Sequence, residues 1–278
     1  MGESKSDVGC QRLLITAHGL IIALSSLFCE TIPLLSPARD HYDKFLGPVY
    51  SWMVGDIDAA MIRADAELEA IGLRANGSGI AVDLGAGFGM HSIPLARRGY
   101  HVTAVDSYGP LLSELATRAG SLPIRTVNTN LMEFKSHIAQ PAAVILCMGD
   151  TLTHLPDTAS VEALFSTVSS TLAPGGLLAV TFRDYASTPL NGDERFILVR
   201  SDENRILMCF LEYGETRVQV HDVLHERDGG QWRLRLSSYP KLRLSPEWVV
   251  TALTSLGFTV HREPGLSGMV RVIARQRL

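Results

Sequence analysis

The 278-residue chain has no run of lysine or arginine, and its charges nearly cancel: 25 Lys and Arg stand against 29 Asp and Glu, for a net charge of -4. Such a chain offers no concentrated basic face to a phosphate backbone, so a nucleic-acid polymer is not an expected partner. Only four cysteines occur, Cys10, Cys29, Cys147 and Cys209, and none forms a C-x-x-C pair. That spacing supplies neither a zinc site nor a disulfide framework, and a reducing, cytoplasmic setting is expected. Cys147 lies in an apolar run and Cys209 in an alternating one, which reads as buried thiol. No residues show metal-ligand spacing, so no metal is expected. Internal repeats and low-complexity tracts are missing too.

Apolar residues make up 46% of the chain and charged ones 19%, which suits a globular protein with a sizeable core. The awkward part is the start. Leu13 to Phe28 is nearly continuous apolar sequence after Lys5 and Arg12. It is shorter than the ~20 residues of a membrane helix. Two readings stand: an N-terminal apolar extension or packed helix over residues 1–38, or a targeting or anchoring segment. No membrane partner is otherwise expected. The opening Met1-Gly2-Glu3-Ser4-Lys5-Ser6 also fits the permissive myristoylation pattern.

From residue 56 the patterning is regular. Ile57, Ala60, Met61, Ala64, Leu68 and Ile71 recur at helical spacing, predicting a helix over 56–71. Strands are expected at 80–84, 101–105, 124–127, 143–148 and 177–182, with helices at 90–98, from Gly109-Pro110, and at 160–172. Pro174-Gly175-Gly176 reads as the turn into the fifth strand. Strands alternating with helices imply a mostly parallel sheet covered on both faces. After Tyr185 the texture becomes alternating and hairpin-like, predicting an antiparallel insertion over 186–244. In its last strand Arg233 and Arg235 take one side and Trp232, Leu234 and Leu236 the other, the pattern of a half-solvated sheet. Ser245-Pro246-Glu247 starts a further helix, and strands follow at 258–261 and 269–274. The expected core domain is therefore 39–185 with 245–278.

The chemistry concentrates at Ala81-Val82-Asp83-Leu84-Gly85-Ala86-Gly87-Phe88-Gly89 and at Val102-Thr103-Ala104-Val105-Asp106. A glycine at every second position lets backbone approach a ligand closely. A carboxylate at the tip of the next strand can accept hydrogen bonds from both hydroxyls of a ribose. The dinucleotide fingerprint G-x-G-x-x-G would need glycine where Met90 stands. The pattern Asp83-x-Gly85-x-Gly87-x-Gly89 instead resembles motif I of the class I S-adenosylmethionine-dependent methyltransferases, and Asp106 matches that family's acidic residue after the second strand. The resemblance covers about 42–274 and is strongest over 81–185. It implies a Rossmann-like seven-stranded sheet, S-adenosylmethionine as cofactor and S-adenosylhomocysteine as product. It further implies cofactor contacts from Asp83, Gly85, Ala86, Gly87, Gly89, Asp106, Ser107, Asn130, Leu131 and Met148. Asn130 departs from the family's usual acid, although an amide still accepts a hydrogen bond.

The segment Met148 to Leu155 lacks the [DN]-P-P-[YFW] motif of base-amine methyltransferases and is similar to the corresponding loop of glycine N-methyltransferase-like enzymes. His154 is the candidate general base, since an unperturbed imidazole titrates near ~6.5. Asp150 is the candidate residue that orients it or binds a substrate cation. Tyr42, Tyr50, Trp52, Arg183, Tyr185 and Tyr239 are candidate substrate contacts, with aromatic faces suited to a sulfonium or ammonium. The insertion is expected to roof the cleft, with His221, His225, Tyr239 and Arg243 turned inward. Methyl transfer to a nitrogen, oxygen or sulfur of a small molecule is the expected function. A non-catalytic S-adenosylmethionine sensor, a protein or RNA methyltransferase and a nucleotide-binding oxidoreductase are its rivals. Monomer and homodimer both stay open.

Overall fold

The computed structural model describes residues 37–74 and 77–277. The apolar run Leu13–Phe28, Cys10, Cys29 and the myristoylation pattern lie outside them, as does most of the expected 1–38 extension.

Short helices α1 (Pro37–His41) and α2 (Tyr50–Val54), joined through a π turn at Tyr42–Leu46, lead into α3 (Ile57–Ala70). Asp56 caps α3, its carboxylate accepting from the Ala59 N–H at 3.0 Å. The α/β alternation then runs β1 (Ile80–Leu84), α4 (Ser92–Arg97), β2 (His101–Asp106), α5 (Gly109–Ala119), β3 (Ile124–Asn128), β4 (Ala142–Cys147), α6 (Thr158–Ser169) and β5 (Leu172–Phe182). Four antiparallel strands follow: β6 (Phe196–Ser201), β7 (Arg205–Tyr213), β8 (Arg217–Asp228) and β9 (Gln231–Leu242). The chain closes with α7 (Pro246–Ser255), β10 (Thr259–Pro264) and β11 (Val270–Arg275).

Two sheets result. The larger has the order β10-β11-β5-β4-β1-β2-β3, with β11 antiparallel to its neighbours, and the smaller the order β6-β7-β8-β9. The first strands are apolar throughout because both faces of the large sheet are covered. Phe165 and Val168 of α6 and Val249 and Leu253 of α7 pack on one face. Leu68 of α3, Leu95 of α4 and Leu111 and Leu115 of α5 cover the other.

Three local departures from expectation have physical causes. Helix α4 begins at Ser92, two residues late, because Gly89 at φ +93° is still turning the chain. Helix α6 stops at Ser169, and β5 starts at Leu172 before Pro174-Gly175-Gly176. That triplet is an interruption within the strand, where the register against β4 shifts between Ala142 and Val144. In β9 the alternation is as read, but the apolar side faces solvent: Trp232, Leu234 and Leu236 are exposed. His221 and His225 also point away from the body, because strict alternation puts them opposite the buried Val220, Asp222 and Leu224.

Gly89 holds a backbone conformation that L side chains avoid, and a Cβ there would stand 2.1 Å from Leu115 Cδ1. Gly89→Ala should lower stability by about 2–4 kcal/mol through strain and overpacking. Urea unfolding measures this, with Gly229→Ala as the control, since nothing lies within 4 Å of a Cβ at that positive-φ site.

Candidate active site

The carboxyl ends of β1, β2 and β4 open onto one cavity of about 530 Å³, the place where open α/β sheets hold ligands. Gly85, Ala86 and Gly87 form one wall, Asp106 and Ser107 another, and Met148, Gly149, Thr151 and His154 the end. Gly87 has φ +52° and Gly149 φ +75°. A Cβ on Gly87 would meet nothing nearer than 3.9 Å, and one on Gly149 nothing within 4 Å. Both cavity-lining glycines thus leave space for a ligand where any other residue would project a side chain. Gly85 serves packing instead, since a Cβ there would lie 2.5 Å from Thr151 Oγ1.

Four N–H groups of this loop are already engaged. Gly85 and Ala86 donate to the Val105 carbonyl at 2.8 and 3.0 Å, and Gly89 donates to the Ala86 carbonyl at 2.9 Å. Gly87 donates to Asp106 Oδ2 at 2.8 Å. A pyrophosphate needs such donors free at the loop and helix start. With these four donors turned to the protein itself, the loop offers close backbone approach more than an anion cradle, which suits a nucleoside carrying no phosphate. Asp106 Oδ1 also accepts from the Tyr108 N–H at 2.8 Å. Burial pushes this carboxyl above its ordinary range, against the pull of those N–H donors. A carboxylate has about four lone-pair sites, so each oxygen retains room for a ribose hydroxyl.

Of the residues singled out from sequence, Tyr42, Tyr50, Gly85, Ala86, Gly87, Asp106, Ser107, Asn130, Leu131, Met148 and His154 line the cavity. The others sit elsewhere. Asp83 is buried beneath the loop and accepts from Ser92 Oγ at 2.6 Å, fastening β1 to α4. Trp52 packs toward the small sheet, its Nε1 donating to Asp202 Oδ2 at 2.5 Å. Arg183 is exposed and donates to the Ser267 carbonyl at 3.2 Å, across the end of the large sheet. Arg243 donates through Nε to the Tyr185 carbonyl at 3.0 Å and holds the turn between β7 and β8 at Gly214. Asn130 Oδ1 caps the 3-10 turn Leu131–His137 by accepting from Met132 N–H at 2.9 Å, so an adenine amino group would have to share that oxygen.

Asp150 lies behind the cavity wall as the centre of a buried network. Its Oδ1 accepts from the Arg183 N–H at 2.9 Å and from Thr153 Oγ1 at 3.0 Å. Its Oδ2 accepts from Lys241 Nζ at 2.5 Å and from the Tyr185 hydroxyl at 3.3 Å. Burial alone would raise this carboxyl, but Lys241, the Arg183 N–H and His154 hold it below the ordinary carboxylate range. Lys241 comes from β9, so the pair ties the insertion to the loop after β4. Sequence reading passed over Lys241. Its only signal was a lysine at an inward parity of an alternating strand.

His154 does not carry the titration expected of it. Burial, with the nearby Lys241 ammonium second, pushes its imidazole down to about 3 against the opposing pull of Asp150. It stays neutral at physiological pH. Its ring stacks on Tyr239 at 5.6 Å and meets Tyr42 edge-on at 5.6 Å, while its buried Nδ1 has no hydrogen-bond partner. Tyr239 stacks in turn on His41, 4.0 Å away. His41 Nδ1 is 2.7 Å from Ser237 Oγ, and its Nε2 is 3.1 Å from Asp222 Oδ2 but off the line a hydrogen bond requires. The aromatic end of the cavity is thus assembled from α1, the loop after β4 and the inner face of the insertion. On the opposite wall His91 joins Glu67 at 3.2 Å, and Glu67 joins Arg271 at 3.2 Å. Among the described residues no cluster of three or more His, Cys, Asp or Glu side chains could hold a metal ion. Nor is any helix there long and apolar enough to cross a membrane.

Comparison with known proteins agrees with this geometry. Residues 81–176 match the family described as "Methyltransferase domain". The chain is 29% identical to glycine/sarcosine N-methyltransferase of Aphanothece halophytica over 116 residues, 41% of this chain and 43% of that protein. It is 25% identical to human glycine N-methyltransferase over 222 residues, 69% of this chain and 74% of that one. It spans about half the length of the curated relatives it first matches. A solved S-adenosylmethionine-dependent methyltransferase from Clostridium acetobutylicum ATCC 824 superposes with a TM-score of 0.67 at 16% identity, covering 85% of this chain and 99% of that one. Residues 81–176 thus form a methyltransferase domain, the fold is that of the solved S-adenosylmethionine-dependent methyltransferases, and the glycine loop and Asp106 fit S-adenosylmethionine.

Lys241→Met should leave the Asp150 carboxylate buried without its counter-charge and cost about 3–5 kcal/mol at pH 7. In the wild type the lowered carboxyl contributes stability above the ordinary Asp value, lost as pH falls through the lower folded value. In the variant the carboxyl titrates higher, so acid neutralises the unpaired charge. Urea unfolding at pH 7 and pH 4.5 should therefore find a smaller penalty at the lower pH. Equal penalties would show that the two groups are not coupled.

Proposed function

We propose that the chain transfers a methyl group from S-adenosylmethionine to the amine nitrogen of a small molecule. The observation that carries this reading is the enclosed aromatic end of the cavity, where the unpartnered Nδ1 of His154 stands beside Tyr42. The two N-methyltransferase relatives named above support the choice of nitrogen.

S-adenosylmethionine supplies a methyl group already activated on a sulfonium, transferred by in-line displacement. The protein's part is alignment and exclusion of water. Gly87 and Gly149 admit the ligand against the backbone. Asp106 holds the ribose. The faces of Tyr42 and Tyr50 stand where a sulfonium is attracted by cation–π contact. Both phenols stay protonated, since burial raises Tyr42 well above its ordinary value and Tyr50 to about 12.

The desolvation that keeps His154 neutral acts on an acceptor amine in the same way. It disfavours the ammonium, so the acceptor sits there as the free base with its lone pair available. The His154 ring, which lines this end of the cavity, packs against the acceptor and aims it, and no general base is required. Asp150 works from behind by fixing the loop that presents His154 and Thr151. The lid restricts the acceptor to a small molecule.

Calorimetric titration should find micromolar binding of S-adenosylmethionine and S-adenosylhomocysteine and none of NAD. Asp106→Ala should weaken both at least ~10-fold, each lost charge-assisted hydrogen bond being worth about 1.5–3 kcal/mol. Equal binding of NAD would remove the cofactor reading.

With an amine acceptor found by screening for S-adenosylhomocysteine release, kcat/KM should rise with pH to the acceptor's own pKa. His154→Ala should lower it ~10–100-fold, the range for one lost orienting contact, without changing cofactor affinity or the profile's shape. An inflection near ~6.5 that disappears in the variant would make His154 a general base after all.

A further inference from the structure

The two faces of the small sheet have different neighbours. The inner face, with Leu207, Leu224 and Tyr239, packs on the body around the π turn and Tyr185. The outer face is open and apolar. One row crosses all four strands in register: Leu198 pairs with Met208, Met208 with Val223 and Val223 with Leu236. Leu234 and Trp232 extend it along β9, and Phe196 stacks on Phe210 at 4.6 Å beside it. Phe196, Leu198, Trp232, Leu234 and Leu236 are 55, 58, 46, 55 and 66% exposed. Five large apolar side chains at half exposure leave on the order of 500 Å² of apolar surface, the upper end of what a monomer shows.

We propose that this outer face is the contact between two copies of the chain, packed sheet on sheet about a two-fold axis. Three observations favour a second copy over other occupants. The face runs across four hydrogen-bonded antiparallel strands, the arrangement that pairs with its own kind at a sandwich spacing of ~10 Å. Doubled in an isologous contact, its apolar area reaches about 1,000 Å², the level a specific interface must clear. Its ends carry opposite charge. Arg227 stands at one end, over the Trp232 ring at 5.6 Å. Glu212 stands at the other, its side chain 66% exposed and joined to His221 Nε2 at 3.1 Å.

Glu212 pairs across the strands with Gln219, and Arg227 lies eight residues further along β8 (227 − 219), about 27 Å away. An axis in the plane between the sheets and perpendicular to the strands reverses strand direction. It therefore sets Arg227 of each copy against Glu212 of the other. An axis along the strands would oppose like charges, so complementarity selects the first. Arg195 shares the Glu212 end, but its guanidinium is turned over the Phe210 ring at 4.9 Å with its Nε on the Gly192 carbonyl.

Sedimentation equilibrium on the full chain tests this. The wild type should be a dimer at micromolar concentration. Leu234→Glu with Leu236→Glu should raise the dissociation constant at least ~100-fold, as for truncation of a central anchor. Both positions are exposed, so S-adenosylmethionine affinity and the far-UV spectrum should not change. Glu212→Arg and Arg227→Glu should each weaken the dimer ~10-fold, and the double reversal should restore it, which fixes the axis. A monomer at every concentration overturns the proposal and gives the face to another occupant, the chain's own residues 13–28 or a foreign protein. A dimer untouched by the Leu234 and Leu236 charges overturns it equally.

Discussion

One buried carboxylate organises the site. Asp150 sits at φ +73°, a left-handed conformation that costs a non-glycine residue about 1 kcal/mol. The adjoining backbone is pinned to the end of β5, with Gly149 N–H on Thr181 Oγ1 at 2.8 Å and Asp150 N–H on the Thr181 carbonyl at 3.1 Å. The turn aims the Asp150 side chain inward, where charge could not persist alone. Lys241 reaches it from β9, more than ninety residues later, and makes the charge tenable. The insertion is therefore tied to the loop after β4 by an interaction that the body needs as much as the insertion does. The placement of the insertion and the pose of the loop bearing Thr151 and His154 are two consequences of one ion pair.

The same economy of polar groups defines what the cavity can take. In the glycine loop Gly85, Ala86 and Gly87 close on β2, and Gly89 closes on the loop itself. The positive ligand-binding potential of a strand-to-helix turn is thereby neutralised from within. What remains are bare backbone at Gly87 and Gly149, lone pairs on Asp106, aromatic faces, and a neutral imidazole. In the proposed function these are the groups that take a ribose, a sulfonium and an uncharged amine. A dinucleotide would meet a loop whose Gly85, Ala86, Gly87 and Gly89 N–H groups are already bonded within the protein.

The core of this arrangement was readable from the chain. Strand β1 and its glycine loop are local: apolar burial on two faces, glycines at forced dihedrals and an acid at the next strand tip are properties of adjacent residues. The same holds for the hairpins of the insertion, where period-2 patterning and Gly-rich turns gave β7 to the residue. What escaped depends on distance. Lys241 meets Asp150, His41 meets Ser237 and Asp222, and Arg271 meets Glu67 only because separate elements converge. The fall of His154 to about 3 follows from the same convergence, since desolvation and a lysine from another strand cannot be read from its neighbours in sequence. Arg183 and Trp52 sit beside the right strand and the right helix, yet their side chains reach away to Ser267 and Asp202.

The small sheet shows how parity without context misleads. Alternation assigned Trp232, Leu234 and Leu236 to one face and the arginines to the other, and the structure keeps that separation. The inference from apolar to buried then fails, because the inner face is where the chain needs polarity. Asp222, Ser237 and Lys241 are turned toward α1 and the cavity to hold His41 and Asp150. A strand has only two sides. In β9 the inner positions Ser237 and Lys241 are committed to the polar framework of the site, and Trp232, Leu234 and Leu236 take the outer side. The exposed face is thus the counterpart of the site's chemistry.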